Sequence, residues 1–133
     1  MTSTPTARIY LAAPITVYGT PAWCTANTRV TAAHPGSIIL NPMAVFRDRR
    51  DWQARLPAVL RGVTRLVFLT DAEGFIGRGV DHEIASAIAV GCPVERLTVD
   101  GAFVPLAALV IDPPTDDDWS HYRRVRTPSP GPA

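Results

Sequence analysis

Four short apolar runs, rich in Val, Ile and Leu, recur along the chain between breaks made by Pro, Gly, Asn or Asp. Runs of this length and composition predict β-strands that are buried on both faces of a sheet. The predicted strands cover residues 8–12, 37–40, 65–70 and 93–99. The first three are followed by the breaks Ala13-Pro14, Asn41-Pro42 and Thr70-Asp71.

Between these runs, apolar residues recur at three- and four-residue spacing, which predicts helices. The predicted helices cover residues 21–33, about 51–62 and 80–90. Asp51 is suited to cap the second helix, and Pro57 lies inside it, so we expect that helix to begin later or to kink. Residues 43–46 fit a helical turn, and residues 103–111 fit either a fifth strand or a short helix followed by a strand.

Alternating strands and helices predict an α/β fold, with a parallel sheet of four to five strands and helices on both of its faces. We expect a flexible N-terminus at residues 1–7, one domain over residues 8–112, and an acidic then Pro-rich tail over residues 113–133 that is largely disordered. Because the three breaks follow strands, they lie at the carboxyl edge of the sheet, where such folds bind ligands.

Charge and residue content exclude several classes of function. The chain has 133 residues and a formal net charge of +1, which gives no global attraction to nucleic acid or to an anionic membrane. All thirteen basic residues are arginine, so Schiff-base and P-loop lysines are excluded. Cys24 and Cys92 have neither a disulfide-scaffold pattern nor a metal-ligand spacing. We therefore expect a cytoplasmic protein without a metal or another cofactor.

Glu83 is the strongest candidate for catalysis. It follows Val80 by three residues and therefore lies at the edge of the apolar stripe that this residue forms with Ile84. In the first turn of the predicted helix, its carboxylate would be stabilised by the helix dipole, in the ionised form that a nucleophile needs. The alternative is a first-turn acid that only stabilises the start of the helix. Tyr10, on the first strand, is either a core tyrosine or a partner in the site.

Three neighbouring polar residues are weaker candidates for a catalytic or binding role. Asp81 is most simply a capping or first-turn acid, and His82 is expected to point to solvent rather than act as a base. Asp71, at the end of the third strand, is suited either to bind a sugar hydroxyl or to cap a turn with Glu73 and Gly74.

The loop before Glu83 is rich in glycine, which allows backbone amides to approach an anion. Its candidate ligand-binding residues are Phe75, Gly77, Arg78 and Gly79, and the loops after the first two strands add Ala13, Pro14 and Asn41. The Gly-x-Gly of this loop is not a dinucleotide fingerprint, because it follows the third strand and lacks the third glycine. Phe75 could stack on a base, as could Trp23 and Trp52, although tryptophans on helices are more often core residues.

These motifs together resemble the nucleoside 2-deoxyribosyltransferase family, whose superfamily also includes nucleotide N-glycosidases. The resemblance runs from about residue 8 to residue 97, which is most of the predicted folded part. Its motifs are residues 9–15, Asn41-Pro42, residues 66–71, residues 79–84 and residues 91–94. It implies a flavodoxin-like (Rossmann-like) domain over residues 8–112 that cleaves an N-glycosidic bond. Glu83 falls on the family nucleophile, and Tyr10 falls on the tyrosine that orients it.

The chain also departs from this family. Gly77 stands where transferases have an aspartate that holds the base, a second family carboxylate falls near Pro57, and Ala13 replaces a commoner glycine. These losses favour the N-glycosidase branch, which holds a 5′-phosphate and suits Gly77, Arg78, Thr16 and Thr20. The resemblance further implies a nucleoside or nucleotide substrate and a homodimer or larger homo-oligomer, in which residues 116–122 could reach a neighbour's site. A non-catalytic module that senses a nucleotide is the alternative.

Overall fold

The computed structural model describes residues 6–116 and 121–128 and has a mixed α/β architecture. A central five-stranded sheet is accompanied by a small three-stranded sheet. The strands are β1 (Arg8–Ala12), β2 (Ile38–Leu40), β3 (Arg65–Phe68), β4 (Phe75–Ile76), β5 (Val94–Leu97), β6 (Phe103–Pro105), β7 (Val110–Ile111) and β8 (Arg123–Arg126). The helices are α1 (Pro21–Ala33), α2 (Pro42–Val45), α3 (Arg49–Arg61) and α4 (Arg78–Ala89), with a 3-10 turn at Leu106–Ala108.

The central sheet has the strand order β2-β1-β3-β5-β6. Its first four strands are parallel, with Tyr10 of β1 opposite Leu66 of β3, and Leu66 in turn opposite Val94 of β5. Only β6 is antiparallel, because a short turn returns the chain directly beside β5. The predicted parallel sheet is therefore confirmed for the four strands at residues 8–97.

Helices cover both faces of this sheet, which explains why its strands are apolar throughout. Successive side chains of β1 alternate between the two faces: Ile9 and Leu11 pack with α1, whereas Tyr10 and Ala12 pack with α3 and α4. The second face carries the larger core cluster, which includes Phe68 of β3.

Helix α1 has the predicted bounds, but the start of α3 differs from its prediction. Asp48 caps α3 by accepting a hydrogen bond from the backbone N–H of Asp51 at 2.8 Å, so Asp51 lies in the first turn. Asp51 instead accepts from the backbone N–H of Arg47 and forms an ion pair with Arg55, and both interactions lower the pKa of its carboxyl. Pro57 lies inside α3, which runs through it to Arg61.

Helix α4 begins two residues earlier than predicted, at Arg78. Gly77 is its N-cap residue, with an ordinary φ of −84° and no side chain to cap the helix. Arg78 and Gly79 are therefore helical, and the prediction that they belong to a flexible loop is wrong. The earlier start also places Glu83 beyond the first turn, in which Asp81 is the acidic residue.

The small sheet has the order β4-β8-β7 and brings the C-terminal region back onto the domain. Val125 of β8 is 3% exposed and belongs to the core cluster that contains Tyr10. The prediction of a largely disordered tail is therefore wrong for residues 123–126. Although arginines surround it in sequence, Val125 is buried in the core, and this burial holds the strand in place. The short strand β4 was not predicted either. Residues 1–5, 117–120 and 129–133, on which other terminal predictions fall, lie outside the described residues.

Within the described part of the chain, no helix has both the length and the apolar character needed to cross a membrane. Residues 103–111 form a strand, a 3-10 turn and a further strand.

Candidate functional site

A buried carboxylate lies where α4 packs against the central sheet. Glu83 is 4% exposed and is the one polar or charged residue among the buried residues that the structure describes. Its Oε2 accepts a hydrogen bond from the hydroxyl of Tyr10 on β1, and a second from the indole Nε1 of Trp52 on α3 at 3.4 Å. Three separate elements therefore position one carboxyl group.

Both donors bind the same oxygen atom. Within residues 6–116 and 121–128, Oε1 of Glu83 accepts no hydrogen bond and Glu83 forms no ion pair. A carboxylate held by neutral donors on one oxygen has its other oxygen available to a reacting partner. An arginine partner would instead neutralise the group and lower its nucleophilicity.

Burial has the largest effect on the pKa of Glu83. It raises the pKa of this carboxyl from 4.5 to about 7, whereas the hydrogen bonds from Tyr10 and Trp52 lower it by less. The helix dipole was expected to favour the ionised form, but it acts chiefly within the first turn, and Glu83 lies beyond it. Burial and the adjacent carboxylate together raise the pKa of Tyr10, so its hydroxyl remains a proton donor.

Sequence reasoning missed the roles of two aromatic residues near Glu83. The indole N–H of Trp52 needs an acceptor because its ring packs against the core, and Glu83 supplies it. Tyr18 accepts a hydrogen bond from the backbone N–H of Ala13 at 3.0 Å and stacks on Trp23 at 4.8 Å. Burial raises the pKa of Tyr18, and so does the charge of Glu83, to which Tyr18 is near. The one sequence signal for these roles was the position of Trp52 on the apolar face of its helix, which predicts that its ring packs against the core.

Asp71 has a structural role in the turn that follows β3. Its Oδ1 accepts hydrogen bonds from the backbone N–H groups of Glu73 and Phe75, both at 2.9 Å. Its Oδ2 lies 3.2 Å from Nε2 of His121. The turn-capping alternative is therefore realised, and a sugar would have to compete with His121 for this carboxylate.

Asp81 and His82 are not among the described donors to Glu83, whose Oε2 accepts from Tyr10 and Trp52. Asp81 makes no capping bond; its Oδ1 lies 3.0 Å from Nε of Arg123 on β8. His82 is exposed, as predicted, and stacks on Trp52 with ring centroids 5.0 Å apart. His82 therefore packs against the indole that donates to Glu83.

The other candidate residues lie around the same edge of the sheet in ordinary structural roles. Ala13 and Pro14 are buried, and the side chain of Asn41 caps α2 through the backbone N–H of Met43 at 2.9 Å. Phe75 lies in β4 and stacks on His121 at 4.7 Å. Arg78 lies over the ring of Tyr122 at 5.2 Å.

Two surface cavities, of about 590 and 360 Å³, are lined by neither Glu83 nor Tyr10. Oε1 of Glu83 is nevertheless not among the fully buried, unpartnered side-chain atoms of the described residues, so it keeps contact with solvent.

Replacing Tyr10 with phenylalanine should raise the pKa of Glu83 above 7, by about one to two pKa units, because it removes a donor that stabilises the carboxylate. Carbon-13 NMR titration of the Glu83 carboxyl would measure this shift. Tyr18→Phe is the matched control, since the Tyr18 hydroxyl bonds Ala13 instead and its removal should leave the pKa near 7. An unchanged pKa in Tyr10→Phe would contradict the hydrogen bond.

The chain matches no protein-family model and no curated protein. The described residues also contain no group of three or more His, Cys, Asp or Glu that could hold a metal ion. Function must therefore be inferred from the residues around Glu83 together with the motifs of the sequence.

Proposed function

We propose that this protein cleaves the N-glycosidic bond of a nucleoside or nucleoside 5′-monophosphate, with Glu83 as the nucleophile. The strand order supports a flavodoxin-like domain, and the sequence motifs resemble the nucleoside 2-deoxyribosyltransferase and nucleotide N-glycosidase superfamily. The carboxyl edge of the sheet is the expected location for such a site.

One observation carries the proposal: Glu83 is buried, and among the described residues it has two neutral donors on Oε2 and none on Oε1. Tyr10 and Trp52 fix the rotamer of the side chain without neutralising its charge, which leaves Oε1 as the attacking atom. A purely structural buried carboxylate would be expected to have both oxygens satisfied or to pair with a cation.

The reaction would proceed by covalent catalysis. Oε1 of Glu83 forms a bond to the anomeric carbon as the bond from that carbon to the base nitrogen breaks, and the electron pair leaves with the base, which takes a proton from water. The positive charge that develops on the sugar is stabilised by the carboxylate. Water then hydrolyses the glycosyl ester and regenerates Glu83, whereas attack by a second base would give transfer. Tyr10 acts as a positioning residue.

The nucleophile must be ionised, so the pKa of Glu83 predicts the pH dependence. Base release, measured as kcat/KM, should rise as pH increases through about 7 and level off above it, since the free enzyme then carries the carboxylate. A profile that falls through the same range would instead assign Glu83 as a proton donor and contradict its role as nucleophile.

The direct test is to incubate the purified protein with a panel of nucleosides and 5′-monophosphates and to detect free base by chromatography. Base release by the wild type and none by Glu83→Gln would support the proposal. Preference for the monophosphates would assign the N-glycosidase branch, in which residues such as Arg78 and Thr16 are suited to the phosphate. Release of base only when a second base is supplied would assign the transferase branch.

A non-catalytic nucleotide sensor is the second candidate. Two observations favour it: Gly77 provides no carboxylate for the base, and Asp71 is already engaged by its own turn and by His121. The panel separates the two functions, because a sensor would leave every substrate intact while one nucleotide raised its Tm. In either case we expect a homodimer or larger homo-oligomer, which sedimentation would measure.

A further inference from the structure

A second polar site lies outside the surroundings of Glu83. A cavity of about 590 Å³ is lined by residues of β5 and the loop that follows it, of β7, and of β8 with the two residues after it. A volume of this size is typical of a pocket for a small organic molecule. Three of its lining residues are arginines, at positions 96, 124 and 126.

Arg96 lines this cavity, and its guanidinium is partly buried with no carboxylate of the described residues paired to it. Its Nη2 donates to the hydroxyl of Thr70 at 3.1 Å, and its Nη1 lies 3.5 Å from the carbonyl oxygen of Val125. Its Nε is buried and has no hydrogen-bond partner among residues 6–116 and 121–128. Burial accordingly lowers the pKa of Arg96, while the charge of Asp100 raises it by less.

Comparison with two other arginines shows what Arg96 lacks. Arg65 and Arg123 are also partly buried, but each has a carboxylate beside it: Nη1 of Arg65 lies 3.1 Å from Glu95, and Nε of Arg123 lies 3.0 Å from Asp81. Among the described residues, no carboxylate lies within 4.0 Å of Arg96. A partly buried positive charge without a partner is costly, so an anion at this position would be stabilised.

Arg124 adds a second guanidinium to the same cavity. It is exposed and forms no ion pair with any described residue, whereas Arg126, two residues further on β8, is held by Asp112 at 2.7 Å. Two carboxylates line the cavity as well, but Asp100 accepts a hydrogen bond from the hydroxyl of Thr98, and Glu73 lies 3.8 Å from His121.

Apolar groups form the rest of the wall. Val99, in the loop after β5, and Val110 of β7 are both exposed, and both line the cavity. The combination of two guanidiniums with apolar side chains suits a ligand that has an oxyanion at one end and an apolar group at the other. A phosphate offers several oxygens that two arginines can share.

We propose that this cavity binds an organic phosphate, with Arg96 and Arg124 holding the phosphate and with Val99 and Val110 contacting the apolar part. The site is separate from Glu83, and the proposal does not depend on glycosidic cleavage. Because the attraction between the two guanidiniums and the phosphate is screened by salt, we expect the affinity to fall as the salt concentration rises.

The test is isothermal titration of the full chain with phenyl phosphate and with inorganic phosphate at constant ionic strength. We expect saturable binding of one phenyl phosphate, about tenfold tighter than inorganic phosphate because the ring buries apolar surface. Arg96→Met, which keeps the volume of the side chain, and Arg124→Gln should each weaken phenyl phosphate binding about tenfold or more. Arg50→Gln, an exposed arginine on α3, is the matched control and should bind like the wild type.

The two cavity variants keep the test decisive. Arg124 is exposed, so its variant is expected to fold even if Arg96→Met does not. The absence of saturable binding by the wild type would overturn the proposal, as would unchanged affinity in Arg124→Gln, which would place the ligand elsewhere. Equal affinities for phenyl phosphate and inorganic phosphate would overturn the apolar part of the site.

Discussion

Replacing Glu83 with glutamine should abolish base release and, above pH 7, make the protein more stable. The variant keeps the shape of the side chain and an oxygen that accepts from Tyr10 and Trp52, but it cannot attack the anomeric carbon. We expect kcat to fall at least about a thousandfold, as for the loss of other covalent nucleophiles. At pH 8 the free energy of unfolding should rise by about 3 kcal/mol, because the variant no longer buries a charge.

The sign of the stability change follows from the pKa of Glu83. Because its pKa is about 7 in the folded protein and 4.5 ordinarily, the folded state binds more protons than the unfolded state between these pH values. The stabilisation from this group is therefore complete below about pH 4.5 and is lost by about pH 7. Urea unfolding of both proteins at pH 4 and pH 8 would measure the difference, which should nearly vanish at pH 4.

Glu73→Gln is the control, since this glutamate is exposed and lies outside the Glu83 site. It should change neither base release nor the pH dependence of stability beyond a few tenths of a kcal/mol. A Glu83→Gln protein that is less stable than the wild type at pH 8 would show that the carboxylate is stabilised by contacts other than Tyr10 and Trp52. Retained base release would exclude Glu83 as the nucleophile.

Replacing Val125 with aspartate should destabilise the protein by about 3 to 4 kcal/mol. Val125 is 3% exposed, and its side chain belongs to the apolar core cluster, so a carboxylate at this position would be buried among apolar side chains. Urea unfolding would measure the loss. Thr127→Asp is the matched control, because Thr127 lies two residues further along the chain and is exposed.

The Thr127→Asp variant should lie within about 0.5 kcal/mol of the wild type. If Val125→Asp were equally harmless, the region beyond residue 112 would not be part of the folded core. That result would contradict the position of β8, and with it the ion pair of Arg123 with Asp81 and the phosphate cavity that β8 lines.

The central sheet could be predicted because its signals are local. Each parallel strand is a short apolar run between helix-spaced segments, and the Pro or Asp after each run marks the edge at which ligands bind. The position of Glu83 beside the apolar stripe of its helix, and that of Tyr10 on the first strand, likewise make them candidates from sequence alone. The small sheet could not be predicted, since β4 has two residues and β8 is mostly arginine. Such strands are stable only because partners distant in sequence pair with them.

The roles of individual polar groups could not be predicted either. By residue type, each of the three candidates Asp71, Asp81 and Asn41 is suited to bind a ligand or to cap a turn. The structure decides between these uses, because Asp71 contacts His121, Asp81 pairs with Arg123, and Asn41 caps α2. Tertiary contacts also determine which donors reach an acceptor, so Trp52 could not be assigned to Glu83 from its spacing alone.

Hydrophobic periodicity and turn residues act over a few positions, so they predict the α/β class, the parallel strands and the edge of the sheet that carries Glu83. The tertiary structure adds that Glu83 is buried, that Tyr10 and Trp52 share one of its oxygens, and that no described carboxylate pairs with Arg96. These features depend on distances between segments far apart in the chain, which local patterns do not encode. A pKa is a property of that environment and not of the residue type.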